Sequence, residues 1–290
     1  MSRPTEIFEQ HRPELFRLAY GMLGRVAPAE DAVQETFLRW QKQNTEEIHS
    51  PKAWLSKVVN RICLDEIKSA KNRREQYVGT DLPEPFLAGR SKSPEEALEL
   101  AESLSMALLV VLDTLTPVQR AVFLLHEVFD YDYASISAII DRSEANCRKI
   151  AQRARNLVRE KRPGFDKNNT EQDRLVQTFA EAVKNRDMAQ IERLLAEEAI
   201  LYSDGGGKVN AARKPIIGAG KIAKFMVGIQ KGATQPYHIE FREVNGEPGM
   251  MMLVEGQLQN VWSFHIEGGK IKGIYVVLNP DKLEHLRNRY

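Results

Sequence analysis

The stretch from Leu115 to Arg162 constrains this chain more than any other. Leu115-Thr116-Pro117 opens an apolar helix, and Ile136, Ile139 and Ile140 mark a second. Ser143 then caps a third helix, which carries Arg148, Lys149, Arg153, Arg155, Arg159, Lys161 and Arg162. Two short helices joined by a tight turn, the second rich in positive charge, form an arrangement that fits a helix end into the DNA major groove. Cys147, Ile150, Ala151, Ala154, Leu157 and Val158 recur at helical spacing and hold the inward face of the last helix. Glu144, Ala145, Asn146, Arg148 and Lys149, in its first turns, are placed to reach base edges. Arg153 and Arg155, further along, are placed to grip phosphates and set register. A solvated amphipathic helix in a bundle is the competing reading. The sign bias, the Ser cap and the short preceding helix together favour the DNA reader. Asp141 stands in the turn where glycine is the easier choice, and aspartate also visits the left-handed region.

A formal net charge of +1 over 290 residues is no argument against a nucleic-acid partner, because the charge is segregated. Between Asp141 and Pro163 eight Lys and Arg face three Asp and Glu, and attraction to phosphate follows the local patch. The length points to two or three domains, and a hydrophobic fraction of 42% supplies an ordinary core. No apolar run approaches a membrane span, and the segment from Met1 to Glu6 is expected to lead into no apolar signal. Cys63 and Cys147, both in helical patterns, read as buried reduced thiols in a cytoplasm. No metal or cofactor is called for.

From Ile7 to about Glu75 the pattern is helical. Leu15, Phe16, Leu18, Ala19, Met22 and Leu23 form a first apolar face. Pro28 is expected to open the next helix, in which Val33, Phe37 and Trp40 point inward while Asp31, Gln34, Glu35 and Arg39 meet solvent. Ser50-Pro51 caps a third, with Trp54, Leu55, Val58, Val59, Ile62, Cys63 and Ile67 as its buried stripe. Tyr77 to Pro94 breaks the period with prolines and glycines and reads as a linker, whose Leu82, Phe86 and Leu87 lie against something. Glu95 to Arg162 is helical again and ends at Pro163-Gly164.

Beyond Lys167 the character changes. Thr170-Glu171-Gln172-Asp173 reads as a capping box, followed by Leu175, Val176, Phe179 and Val183 at helical spacing, and a short helix carries Ile191, Leu194 and Leu195. After Ala199 the pattern becomes strand-like, with strands expected at Tyr237–Val244, Met250–Val254, Leu258–Ile266 and Ile271–Leu278. Two helices leading into a curved antiparallel sheet make this part α+β. Asp204, Tyr202, His238, His265 and Tyr275 are its candidate acid–base groups, but no two stand at a diagnostic spacing. Trp262, Phe264 and Tyr275 read as core, and His265 as an exposed strand residue. Asp204-Gly205-Gly206-Gly207-Lys208 reads as a loop contacting the linker, with an anion nest or a plain hairpin turn as alternatives.

Three segments carry a resemblance. They are Asp31-Ala32-Val33-Gln34-Glu35-Thr36-Phe37-Leu38-Arg39-Trp40, Trp54-Leu55-Ser56-Lys57-Val58-Val59-Asn60-Arg61 with Asp65, and Leu115 to Phe123. With the basic helix-turn-helix they resemble an RNA polymerase sigma factor of the extracytoplasmic-function type, over nearly all of residues 6 to 162. Further marks are Tyr77-Val78-Gly79 with Leu82-Pro83-Glu84-Pro85, the Asp204 to Lys208 run, and Asn279-Pro280-Asp281-Lys282-Leu283. They resemble the SigJ-like subgroup, whose members carry a fused SnoaL-like, NTF2-like cone domain. Asp81 stands where that subgroup usually has tryptophan.

The resemblance implies a multi-domain fold of two all-α domains followed by an α+β cone. It implies sigma region 2 at 1–75, a linker at 76–100, sigma region 4 at 101–163 and the regulatory domain at 164–290. Asp31, Gln34, Glu35, Leu38 and Arg39 would dock on the clamp helices of core RNA polymerase, with a second contact at its flap region. Lys57, Asn60, Arg61 and Lys68, helped by Lys71, Arg73 and Arg74, would recognise and open the −10 element. The basic helix would read the −35 element. Leu82, Pro83, Glu84, Pro85, the Asp204–Lys208 loop and Asn279 to Leu283 would form a regulatory contact within the chain. The implied protein is cytoplasmic, a non-enzyme and self-regulated. A cone domain that senses a ligand or catalyses is the alternative.

Overall fold

The computed structural model describes residues 3–44, 47–74, 77–87, 104–161, 169–232 and 235–287. The chain divides into two compact units, Met1–Glu75 with Leu109–Arg162, and Gln76–Leu108 with Pro163–Tyr290. The stretch expected as helix from Glu95 lies outside the described residues as far as residue 103.

In the first unit, α1 (Arg3–Leu23), α2 (Val26–Gln41) and α3 (Pro51–Arg74) pack on one another. Leu15, Leu18, Ala19, Met22 and Leu23 of α1 are buried while Phe16 is half-buried, and Phe8 packs against Phe37 with ring centroids 4.7 Å apart. Trp40 is fully enclosed, tilted against Trp54 at 5.4 Å, and its indole N–H donates to the Pro4 carbonyl at 2.7 Å. Helix α2 begins at Val26, two residues before Pro28. Proline is tolerated there because the N–H groups of a first turn have no partner within the helix.

After α4 (Met106–Leu112), Thr116 caps α5 (Pro117–Phe123) in a full capping box with Gln119. The chain runs on through a π-helical turn, Leu124–Val128, to α6 (Tyr133–Ile140) and α7 (Glu144–Lys161). The helices before and after the linker share one core and are tied by polar bonds. Buried Arg120 of α5 donates to the Met22 carbonyl and the Asp113 carboxylate, each at 2.7 Å. The Tyr131 hydroxyl lies 2.7 Å from Ser56 Oγ and donates to Glu14 at 2.8 Å.

In the second unit, α8 (Asn169–Lys184) and α9 (Met188–Leu194) precede a sheet that is six-stranded among the described residues. Its order is β2-β1-β6-β5-β4-β3, with β1 Leu195–Asp204, β2 Ile216–Ile217, β3 Tyr237–Val244, β4 Glu247–Val254, β5 Gln257–Glu267 and β6 Lys270–Val277. Phe179, Leu201, Trp262, Phe264 and Ile274 form the centre of the core, with Phe179 edge-on to Phe264 at 5.6 Å. Helix α11 (Pro280–Arg287) ends the described chain.

Four expectations need correcting. The sheet is mixed, because β1 pairs with β6 in parallel, Leu201 opposite Ile274. Short turns make β3 to β6 antiparallel, but β1 meets β6 only after a long crossover, which allows the parallel direction. Second, a helix, α10 (Ala219–Gly232), interrupts the stretch read as strand-like. Its Ile222, Ala223 and Met226 are buried one turn apart, between glycines that mimic turn signals. Third, β1 starts at Leu195 directly from α9, with no intervening loop. Last, α8 already includes Asn169, so Thr170 lies inside the helix rather than at its cap.

Candidate functional site

The helix-turn-helix is assembled by caps. Asp132 accepts from the Ser135 amide at 2.7 Å to start α6. Asp141 ends α6 in the left-handed region, φ 55° and ψ 51°, with its amide on the Ser137 carbonyl. Ser143 Oγ then accepts from the Asn146 amide at 3.3 Å and opens α7. Cys147, Ala151, Ala154 and Val158 are buried, while Ala145, Asn146, Arg148, Lys149, Arg153 and Arg159 are exposed. Arg148 pairs with Glu144 at 2.8 Å and lies over the Tyr133 ring at 5.2 Å, which holds the guanidinium at the outer edge of the first turns. Arg155 differs from its expected role on the phosphate-facing side. It is half-buried and bound to Glu127 at 2.5 Å, because the π-helical turn brings that carboxylate across to α7.

On α3, Lys57, Arg61 and Lys68 are solvent-accessible. Lys57 pairs with Asp141 at 2.6 Å and Lys68 with Asp65 at 3.2 Å. Asn60 is not part of that surface, since it is only 1% exposed and its Oδ1 is buried without a hydrogen-bond partner. Residue 60 follows Val59 on the inward side of the helix, and the expectation took its polarity for exposure. The side chains of Lys71, Arg73 and Arg74 lie outside the described residues. On α2, Asp31, Gln34, Leu38 and Arg39 face solvent, with Leu38 44% exposed, and Glu35 pairs with Arg39 at 2.8 Å.

The second unit holds a buried ionic clasp. Asp204, at the end of β1, is 0% exposed. Its Oδ1 accepts from the Tyr77 hydroxyl at 2.5 Å and the Gly206 amide at 3.0 Å. Its Oδ2 accepts from the Leu82 amide at 3.0 Å and Lys282 Nζ at 2.6 Å. Lys282, 1% exposed, also binds the Asp81 carboxylate and the Leu82 carbonyl, and its ammonium sits over the Tyr77 ring at 4.9 Å. Burial first, and the Asp204 carboxylate next, push the Tyr77 phenol above its ordinary value, so it stays a donor. Asn279 Nδ2 donates to the Tyr77 oxygen at 2.8 Å, and the Leu278 and Asn279 amides both reach the Asp204 carbonyl. Gly206 is at φ +61°, and a Cβ there would come within 2.3 Å of Asn279 Nδ2, so only glycine fits.

The remaining expected residues fall around this centre. Glu84, Pro85 and Leu283 are buried, and Gly205 is enclosed beneath the Val209 carbonyl. Pro83 and Pro280 are half-buried, Gly207 packs beside Val78, and exposed Lys208 pairs with Asp281 at 2.7 Å. Further along, Asn245 Oδ1 accepts from the Phe86 amide at 3.0 Å, and its Nδ2 donates to the Leu104 carbonyl at 3.2 Å. His285 Nε2 lies 2.9 Å from the Pro85 carbonyl. Sequence reasoning missed Asn245 and His285, because Asn245-Gly246 reads as an ordinary hairpin turn and His285 as a helix surface residue. Asp81, the departure from the subgroup pattern, supplies the second carboxylate to Lys282.

The five candidate acid–base groups do not converge. Asp204 is engaged in the clasp, His238 is exposed on the edge strand β3, and Tyr202 stacks on Tyr275 at 5.5 Å. His265 is buried rather than exposed, with its Nδ1 3.5 Å from Glu247. Both faces of the central strand β5 are covered, so alternation with its neighbours does not bring it to solvent.

Profiles for Sigma-70 region 2 and for Sigma-70, region 4 match residues 7–73 and 105–158. ECF RNA polymerase sigma factor SigJ of Mycobacterium tuberculosis (strain ATCC 25618 / H37Rv) is 34% identical, over 95% of this chain and 91% of the relative. The probable ECF RNA polymerase sigma factor SigI of Mycobacterium tuberculosis (strain CDC 1551 / Oshkosh) is 31% identical over 96% and 93%. The crystal structure of Mycobacterium tuberculosis SigJ superposes with a TM-score of 0.77, at 31% identity, over 97% of this chain and 98% of that one. The capped basic helix-turn-helix, the three-helix block before it and this end-to-end similarity agree: the chain belongs to the extracytoplasmic-function RNA polymerase sigma factors.

Proposed function

We infer that this sigma factor, which binds core RNA polymerase and directs promoter-specific initiation, is governed by its own C-terminal domain through the linker clasp. The observation that carries this reading is the burial of the Asp204–Lys282 pair around Tyr77, Asp81 and Leu82, which ties 77–87 to the cone domain. The linker joins the two helical segments, so a domain that grips it sets how far those segments can part. The first turns of α7, with Ala145, Asn146, Arg148 and Lys149, read the −35 element. Lys57, Arg61 and Lys68 of α3 serve the −10 element. The face of Asp31, Gln34, Leu38 and Arg39 docks on the clamp helices, and the region-4 segment on the flap.

The C-terminal domain is read as non-catalytic, since Asp204, His238, His265, Tyr202 and Tyr275 do not share a site. No helix among the described residues is long and apolar enough to cross a membrane. Two buried thiols suit the cytoplasm where core polymerase works.

Run-off transcription with core enzyme and the full chain tests both halves. Arg148→Ala or Lys149→Ala lowers −35 recognition by on the order of 1–3 kcal/mol per lost base contact. Unchanged promoter selectivity in both variants rejects the recognition helix. Lys282→Met changes transcript yield while the helical unit stays folded, and a wild-type yield rejects the clasp as a regulator.

A further inference from the structure

The second unit holds an open-mouthed cavity of about 440 Å³ that none of the acid–base candidates lines. Its wall includes Phe225 and Met226 of α10, Met252 of β4, and Asn260 and Trp262 of β5, with Tyr237 of β3 beside them. That volume lies within the range of small-molecule sites. Methionines from two elements make the wall adaptable to guests of differing outline. Among the described lining residues there is no Asp, Glu, Lys, Arg or His. A charged guest would leave water with nothing to neutralise it, so the cavity selects against ions.

Its polar groups are oriented. The Trp262 indole can only donate, and it donates to Asn260 Oδ1 at 2.6 Å. That bond fixes which end of the buried amide is oxygen and leaves Nδ2, a donor, as its other end. Gln230 Nε2 donates to the Tyr237 hydroxyl at 2.9 Å, so the phenol has accepted and keeps its own hydrogen to give. Donors at an apolar wall call for an acceptor on the guest.

The cavity also shares a wall with the linker's surroundings. Ser203, Asn210 and Ala211 line it and also line a second cavity of about 350 Å³ whose far side is Val78 and Gly79 of the linker. Ser203 Oγ accepts from the Ala212 amide at 2.9 Å, which pins this loop to β1 next to Asp204. We propose that the larger cavity binds one small, neutral, mostly apolar molecule bearing a hydrogen-bond acceptor, and that occupancy is transmitted through the 205–213 loop to the linker clasp. The second half rests on the regulatory reading above.

The test is titration of the purified full chain with 2-acetylnaphthalene and with 2-naphthoate, a neutral ketone and a carboxylate of equal size. The ketone binds once per chain, and the carboxylate binds at least about tenfold more weakly. Met252→Trp, which fills the cavity, abolishes ketone binding. Asn260→Leu retains binding but loses the preference for the ketone over 2-ethylnaphthalene. Equal binding of ketone and carboxylate, or ketone binding unaltered in both variants, overturns the site. Hydrogen exchange of residues 77–87 slows when the ketone is added, and unchanged exchange overturns the transmission. Because these readouts omit transcription, a failed titration leaves the clasp reading standing. A wild-type transcript yield from Lys282→Met would instead reject the clasp and leave the cavity.

Discussion

The two units hold their distant segments together by different chemistry. In the second, the linker is fixed by a carboxylate and an ammonium that are 0% and 1% exposed, each with further hydrogen bonds. In the first, the parts before and after the linker share an apolar core and meet through buried bonds from Arg120 to the Met22 carbonyl and between Tyr131 and Ser56, with exposed ion pairs only at the surface. Lys57 and Asp141, for example, are 42% and 74% exposed. Breaking a buried pair strands a charge out of water and costs about 3–5 kcal/mol. An exposed pair contributes about 0–1 kcal/mol and is screened by salt. The clasp is therefore costly to open, whereas the Lys57–Asp141 pair is the easiest of these contacts to break. Lys57 and Asp141 lie in the segments proposed to touch DNA, so their pairing ends when those surfaces are used.

This contrast can be broken most directly at Asp204. Asp204→Ala removes the main counter-charge of Lys282 and destabilises the second unit by about 3–5 kcal/mol in urea unfolding of the full chain. A loss below about 1 kcal/mol would place the clasp among surface pairs. Tyr131→Phe comes next. It removes the bonds to Ser56 and Glu14 and costs the first unit about 1–3 kcal/mol, read in the same experiment. The smallest effect is Lys57→Ala, worth less than about 1 kcal/mol and fading as salt rises toward about 1 M. A salt-independent loss would show that this joint, too, is held by desolvated charge.

The helical unit was largely legible because its signals are local. Thr116-Pro117, Ser143 and Ser50-Pro51 mark starts, Asp141 marks a stop, and apolar residues recur every three or four positions. What failed there depended on neighbours far along the chain. Asn60 is polar but faces inward, and Arg155 is claimed by Glu127, 28 residues earlier. In the second unit the hairpins from Tyr237 to Val277 were readable from alternation and turns. The parallel β1–β6 pairing was not, since strands separated by more than 60 residues leave no local pattern. Glycines at 218, 220 and 228 hid α10. The clasp was half legible: motif residues marked its place, but the charge balance among Asp81, Asp204 and Lys282 exists only in three dimensions. The cavity had no sequence signature, because its wall gathers residues from seven elements, α8, α10, β1 and β3 to β6.

Pairing β1 with β6 also sets a timetable for biosynthesis. The flank of β1 that receives β6 stays open until residue 277 has been made, and Lys282 follows only after that. Domains form as units while the ribosome elongates, earlier residues first. The helices proposed to read DNA are thus complete well before the segment that secures the linker, and a nascent or prematurely terminated chain carries a tether that has never been fastened.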